Sequence, residues 1–342
     1  MNITLSDIWF VLFVVVIGGY LILDGFDMGV GILHLPFAHN DMERRTLLNS
    51  IGPVWDGNEV WLILGGGVLF AAFPFVYASL FSGFYLAMMA VLLVLILRTV
   101  AIEFRSKRPS PRWRTTWDVV FALSSAVLAL LLGVAFGNVV VGVPLDAQGN
   151  ISMSLLGLLT PIPLLIGLTT VAMFAMHGSL YLSMKTGDDL QARVKAWLPR
   201  LIGVFFVLNT LLIAALVVLH PAILDRYTAN PWLVIFPAAA LLAIVAAWYL
   251  LRTGHAFWAF VASSLMIFLL LVSASAGIFP NLLISTTDQA FNLTIYNAAS
   301  EDNTLTVMLI IALIGLPFVL LYTAGVYYFF RGKVVVEPTT GY

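Results

Sequence analysis

The sequence predicts an all-α polytopic membrane protein of about nine transmembrane helices, with its N-terminus periplasmic and its C-terminus cytoplasmic. Three observations carry this. Of the 342 residues, 61% are hydrophobic and only 10% are charged, against about 25% charged in a typical soluble domain. The apolar residues fall in runs long enough to cross a bilayer, which takes roughly 20 residues. Lysine and arginine cluster in alternate loops, as they do on the cytoplasmic side of membrane proteins.

The first run, 8–28, lacks the basic region and small-residue cleavage site of a signal peptide, so it is read as a retained helix. The second, 53–72, opens on Pro53, which suits a helix start. Its Gly65, Gly66 and Gly67 point to close backbone approach or local bending. A very short turn at Phe73-Pro74-Phe75 leads to the third run, 77–101. Further runs follow at 117–141, 155–181, 199–219, 231–251, 256–280 and 304–330. Merging two runs near the proline turns gives eight, but an even count scrambles the charge pattern. Of the 16 lysines and arginines, only Arg226 lies in an opposite loop and only Arg98 lies within a span. The opposite loops are short, the longest being 281–303 with Asp288, Glu301 and Asp302. No loop is long enough for a separate domain. The chain therefore reads as one transmembrane domain, 1–342. Helices 1–4 (1–141) carry an acidic cluster, and helices 5–9 (142–342) are mainly scaffold.

Composition also excludes some chemistry. The net charge is −1, which leaves no basic surplus for nucleic acid. There are no cysteines, so disulfides, thiolate metal sites and cysteine nucleophiles are absent from this chain. No metal-ligand motif is present. Four of the five histidines (His34, His39, His220 and His255) sit at or beyond span ends. His177, beside Gly178 and Ser179, reads as a hydrogen-bonded residue and not as a haem ligand.

The charges in or near the membrane are Asp24, Asp27, Asp56, Glu59, Arg98, Glu103 and Asp118, all in the first four spans. A carboxylate at a helix centre costs about 2.5–3.5 kcal/mol on insertion scales, so each needs a reason. The charge-based orientation puts them at one level, near the cytoplasmic ends of their helices. Asp24 with Asp27, and Asp56 with Glu59, are spaced i to i+3 and so share a helix face. Carboxyls grouped in this way can pass protons along a relay. The plainer alternative is structural pairing with Arg98 or with loop arginines, and it applies most to Glu103 and Asp118. Asp118 could also be a helix-start residue. Gly25 and Gly29 form a GxxxG that would let a neighbouring helix approach the acids.

These stretches together carry a resemblance. DGFDMGVG, ERRTLLNSIGPVWDGNEVWL, FSGFYLAM, LRTVAIEFRSK, WRTTWD, GVAFGN, HGSLYLSMKT and LLYTAGVYY resemble subunit II of the cytochrome bd-type quinol oxidases. The likeness spans the chain and is densest over its first 140 or so residues. It implies a respiratory complex of the bacterial inner membrane that oxidises quinol and reduces dioxygen to water. Two b-type haems and a haem d would lie in a partner, subunit I. This chain would carry no catalytic residue of its own. It would stabilise subunit I and feed it protons from the cytoplasm, with Asp24, Asp27 and Asp56 at the matching positions. Trp61 matches a tryptophan that lines an oxygen entrance in some relatives. Some relatives also hold a structural quinone in this subunit, at a position the sequence does not locate. Glu59 stands where some relatives have an amide. The implied partners are subunit I, a small single-helix subunit, quinol or quinone, and membrane lipid. Intramembrane acids and glycine-rich helices would also suit a proton-coupled transporter. Against that, the acids stay off the midplane and the two halves show no inverted symmetry in their charges.

Overall fold

The computed structural model describes residues 3–335. Twelve α-helices dominate them: α1 (Leu5–Phe37), α2 (Asp41–Ile51), α3 (Trp55–Ala72), α4 (Pro74–Gly83), α5 (Tyr85–Phe104), α6 (Pro111–Val141), α7 (Pro161–Lys185), α8 (Asp188–Leu219), α9 (Ile223–Ala229), α10 (Ile235–Arg252), α11 (Ala256–Ile278) and α12 (Asp302–Phe329). Eight of them are long and apolar enough to cross a membrane, and the bent α3–α4 pair makes a ninth candidate. This agrees with the span count expected from the sequence.

α1 is the organising element. Thr4 caps it, with the Asp7 amide donating to Thr4 Oγ1 and the Thr4 amide donating back to Asp7 Oδ2. Such a reciprocal box closes two orphan amides of the first turn. α1 has 33 residues, or roughly 50 Å at 1.5 Å per residue. It runs well past the predicted end at residue 28. Asp24 and Asp27 depress local hydropathy there, but the apolar segment behind them continues the helix to Phe37. The acids therefore lie inside α1, about 15–20 Å before its last residue, and not at its end. His34 likewise belongs to the helix and is fully buried.

The turn after span two is also different from expectation. Phe73 leaves helical geometry, at φ −133° and ψ 60°. Proline at 74 disfavours a helical conformation in the residue before it. The chain then bends by 120° into α4, so a ten-residue helix separates α3 from α5. The longest opposite loop is folded as well. Asn281–Leu283 and Leu293–Thr294 pair there as antiparallel strands β1 and β2.

α1 packs against α3, α6, α7 and α11. Within its most apolar window, α7 is 72% buried, while α8 and α12 are 6% buried. The α1–α7 pair is thus the core of the bundle, and α8 and α12 lie at its periphery. Glycines set the closest crossing. A Cβ on Gly29 would stand 2.0 Å from the Phe174 carbonyl oxygen, and one on Gly178 would stand 2.6 Å from the Gly29 carbonyl carbon. The GxxxG reading holds at Gly29. Of the Gly65–Gly67 triplet, only Gly65 meets a neighbour, Ile17, while Gly66 and Gly67 face open space.

Outside the spans, α2 is held to α8 by Glu43. Its carboxylate accepts from Arg193 Nη1 (2.9 Å) and Nη2 (3.3 Å), and from the His39 amide (2.7 Å). Burial acts to raise the Glu43 pKa, but the hydrogen bond from Arg193 and that from the His39 amide outweigh it and hold it below 4.5. Only the ionised form makes both bonds. The contribution is complete above pH 4.5 and is lost as pH falls through the lowered value. The protection of Asp41–Ile51 amides, taken relative to their intrinsic exchange rates at each pH, is therefore expected to fall on acidification, and Glu43→Gln should show the low protection already at neutral pH.

Candidate functional site

The buried charges form two networks along α1. In the first, Arg98 of α5 grips Asp24 with both terminal nitrogens, Nη2 to Oδ1 at 2.5 Å and Nη1 to Oδ2 at 3.1 Å. Arg98 Nη1 also donates to Glu59 Oε1 of α3 at 3.0 Å. Asp24 and Arg98 are wholly buried, and the Glu59 side chain is 21% exposed. Asp27, one turn further, faces a different partner. Asn58 Nδ2 donates to Asp27 Oδ2 at 2.7 Å and to the Leu23 carbonyl at 3.3 Å. The Asn58 carbonyl oxygen accepts from the Tyr327 hydroxyl of α12 at 2.9 Å. Asp27 Oδ1 is buried and has no hydrogen-bond partner.

Charge decides what this cluster can do. Asp24 and Glu59 both bond to the Arg98 guanidinium, and Asp27, one turn away, is held by the neutral amide of Asn58. Ionised throughout, the group would hold two uncompensated negative charges at a buried site. Such an imbalance is costly in a low-dielectric interior. Taking up protons removes it, so the arrangement can accept and release them.

The second network is a tie between helices. Asp118 of α6 accepts from His34 Nε2 (2.6 Å), Arg105 Nε (2.6 Å) and Arg44 Nη1 (2.7 Å). Asp41 accepts from Arg105 (2.8 Å) and Arg114 (2.9 Å). Two carboxylates face three arginines here, so every acid has a cation. The network joins α1, α2 and α6 with Arg105, just past the end of α5.

Of the seven charged residues singled out in the sequence, three come together around Asp24: Asp24 itself, Glu59 and Arg98. Asp27 lies one turn away. Asp118 belongs to the other network. His34 and Asp24 are ten residues apart on α1, or about 15 Å, so the polar groups sit at two levels and not one. The expectation of a single level assumed a first helix that stopped at residue 28. Asp56 is exposed on the first turn of α3, and Glu103 is half-buried near the end of α5. Neither joins a network among the described residues. Pairing of Asp118 with loop arginines was the weighed alternative, and Arg105 and Arg44 fill that role. Asn58, Tyr327 and His34 were not among the expected site residues, though the apolar run GVGILHLPF could have carried His34 into the helix.

Two predicted features have clear surroundings. Trp61 is 6% exposed, and its indole fills a notch over Gly19, where a Cβ would stand 2.5 Å from the ring. His177 has both ring nitrogens hydrogen-bonded, Nδ1 with Ser263 Oγ at 2.7 Å and Nε2 with the Ile22 carbonyl at 3.1 Å. It stacks on Phe260 with ring centroids 4.6 Å apart. This is the hydrogen-bonded role the sequence suggested.

Two cavities adjoin the site. An apolar one of about 480 Å³ lies among α1, α6, α7, α8 and α11, with Tyr20, Leu62, Gly133 and Tyr227 in its wall. A polar one of about 370 Å³ is bounded by Asn49, Ser50, Tyr181, Lys185, Tyr327 and the segment following α12.

A family model described as "Cytochrome bd terminal oxidase subunit II" matches residues 5–330. The chain is 38% identical over 365 aligned residues to the cytochrome bd-I ubiquinol oxidase subunit 2 of Escherichia coli, covering 97% of this chain and 96% of that one. It is 37% identical over 340 residues to the cytochrome bd ubiquinol oxidase subunit 2 of Bacillus subtilis, covering 98% and 99%. Its fold matches a chain of the bd oxidase from Geobacillus thermodenitrificans with a TM-score of 0.76, at 19% identity, over 96% of this chain and 99% of that chain.

Proposed function

The chain belongs to the cytochrome bd terminal oxidase subunit II family, a subunit of a quinol:oxygen oxidoreductase complex, and from this we propose that its buried acids carry protons to the haem-bearing subunit I. The reading rests on one observation, three carboxyls clustered about a single buried guanidinium that bonds to only two of them. A purely structural network would need at least one cation per carboxylate, as the Asp118 network has. Protons enter from the cytoplasm, where the basic loops lie, and pass by Asp27 and Asp24 to Glu59, whose side chain is partly exposed. Asp56 is an exposed residue near Glu59 at the edge of this route. Glu103 lies off it, and Asp118 acts as a structural tie. The chain also stabilises subunit I, which holds the two b-type haems and haem d. Trp61 borders the path by which oxygen enters from the lipid. The complex sits in the bacterial inner membrane with quinol, lipid and a small single-helix subunit as further partners, and the later helices serve mainly as scaffold.

Asp27→Asn tests the proton route. The variant keeps the size of the side chain but cannot ionise. In the assembled oxidase with full haem content, turnover is expected to fall by roughly tenfold or more, the scale of a lost proton-transfer group. Parental turnover per haem would remove Asp27 from the route.

A structural quinone would fit the apolar cavity. Its lining suits an isoprenoid body, and the Tyr20 hydroxyl, buried in the wall beside Asp24, lacks a well-formed hydrogen bond. That hydroxyl would donate to a quinone carbonyl. Extraction of purified complex should recover less quinone from Tyr20→Phe than from the parent, with haem content unchanged.

A further inference from the structure

The acids alone do not say where protons come in. Asp56, expected on the proton route, is exposed on α3 and hydrogen-bonds to none of the buried acids. The polar cavity offers another way. Its inner wall is made by two tyrosines, Tyr181 of α7 and Tyr327 of α12. The Tyr181 hydroxyl is spent on the Ser50 carbonyl at 2.6 Å, and its ring is stacked on Phe26, with centroids 4.1 Å apart. Tyr181 is therefore fixed. Tyr327 meets Phe26 only edge-on, with centroids 6.3 Å apart, and its hydroxyl donates to the Asn58 side chain, which holds Asp27. One side chain thus lines the cavity and also stands a single amide away from the acid. Asp27 keeps a second oxygen, Oδ1, buried and without a partner.

We infer that water enters the cavity among α2, α7 and α12 and delivers protons to Asp27, with Tyr327 as the positioning residue that acts through Asn58. This rests on the proton-route reading above. A polar space of this volume takes up water. Asn58 is an amide and does not itself relay a proton. It orients the carboxyl, and movement of Tyr327 off Asn58 joins the wet cavity to Asp27 Oδ1. Among the described residues, the charged groups facing the cavity are Lys185, which donates to the Phe330 carbonyl, and Arg331 and Lys333 of the following segment. The rim is basic, so it does not concentrate protons. It contributes a polar, hydrated passage that disfavours metal cations.

The chain has no cysteine, so an introduced thiol is the only one it carries. Pro53→Cys places it in the cavity wall, at an exposed position, and Lys333→Cys at the exposed rim. Each is assembled with the haem-bearing partner and treated with a methanethiosulfonate reagent bearing a sulfonate, with the parent complex as control. Both thiols are expected to react from the aqueous phase, and turnover per haem to fall on reaction. Tyr327→Phe is expected to lower turnover by about threefold, the scale of one lost hydrogen bond. Its solvent deuterium isotope effect should rise, and its quinol KM should stay unchanged. A role in packing alone would reduce assembled haem without moving the isotope effect. Thiols that fail to react, or that react with turnover intact, overturn the entrance, as does a Tyr327→Phe enzyme with parental turnover and isotope effect. If Asp27→Asn slows the enzyme while these do not, only the entrance falls. If Asp27→Asn also runs at the parental rate, the proton-route reading falls with it.

Discussion

Arg98→Met is expected to abolish accumulation of haem-loaded oxidase. The substitution removes the one cation of the Asp24 network and leaves its carboxyls facing each other in a buried site. Breaking a buried pair in this way costs about 3–5 kcal/mol, a large part of the roughly 5–15 kcal/mol that holds a typical fold. Arg98→Lys should rescue poorly. An ammonium is a point charge and cannot reproduce the guanidinium fork that binds Asp24 through two nitrogens while reaching Glu59. Adding Asp24→Asn and Glu59→Gln to Arg98→Met should restore much of the assembly, because the two carboxyls that bonded to Arg98 are then neutral and only Asp27 remains, held by Asn58. A reduced-minus-oxidised spectrum of membranes reads the result. Haem at the parental level in Arg98→Met alone would show that the pair is dispensable.

Gly29→Val should be as damaging for a different reason. At this crossing backbone meets backbone, and a Cβ would lie 2.0 Å from the Phe174 carbonyl oxygen. No side chain can rotate away to make room, so α1 and α7 must separate. Overpacking costs about 1–3 kcal/mol where neighbours can adjust, and this site should exceed that range. Gly178→Ala strikes the same contact from the other side. Gly66→Ala is the control, since nothing lies within 4 Å of its added Cβ, and it should gain slightly from helix propensity. Thermal denaturation followed through haem absorbance should separate the two classes. A Gly29→Val complex as stable as the Gly66→Ala one would contradict the packing argument.

These two cases show what was legible in the sequence. Hydropathy runs and basic loops gave the helix count. The intramembrane acids marked α1, and the small-residue spacing marked its contact face. Pairing with Arg98 was legible as an alternative, but which acid it grips was not, because periodicity describes one helix at a time. Nothing local indicates that Arg98, 74 residues after Asp24, would close on it. Tyr327 is harder still, at 269 residues from Asn58 and within a helix that otherwise looks lipid-facing. The length of α1 was misread because a hydropathy window treats a buried aspartate as an end, whereas a neighbouring arginine makes it an interior position. The same error hid His34 and merged two levels of charge into one.

The Asp24–Arg98 pair has a consequence for biogenesis. The two residues are 74 positions apart. A ribosome adding about 5–20 residues per second takes roughly 4–15 s to reach the arginine after the aspartate. For that interval α1 carries acids into the membrane with no counter-ion yet made. Asp118 reverses the order, since Arg44 precedes it by 74 residues. Until α5 arrives, protonation is what lowers the cost of the α1 acids in the membrane, and Arg98 takes over that role once it is made.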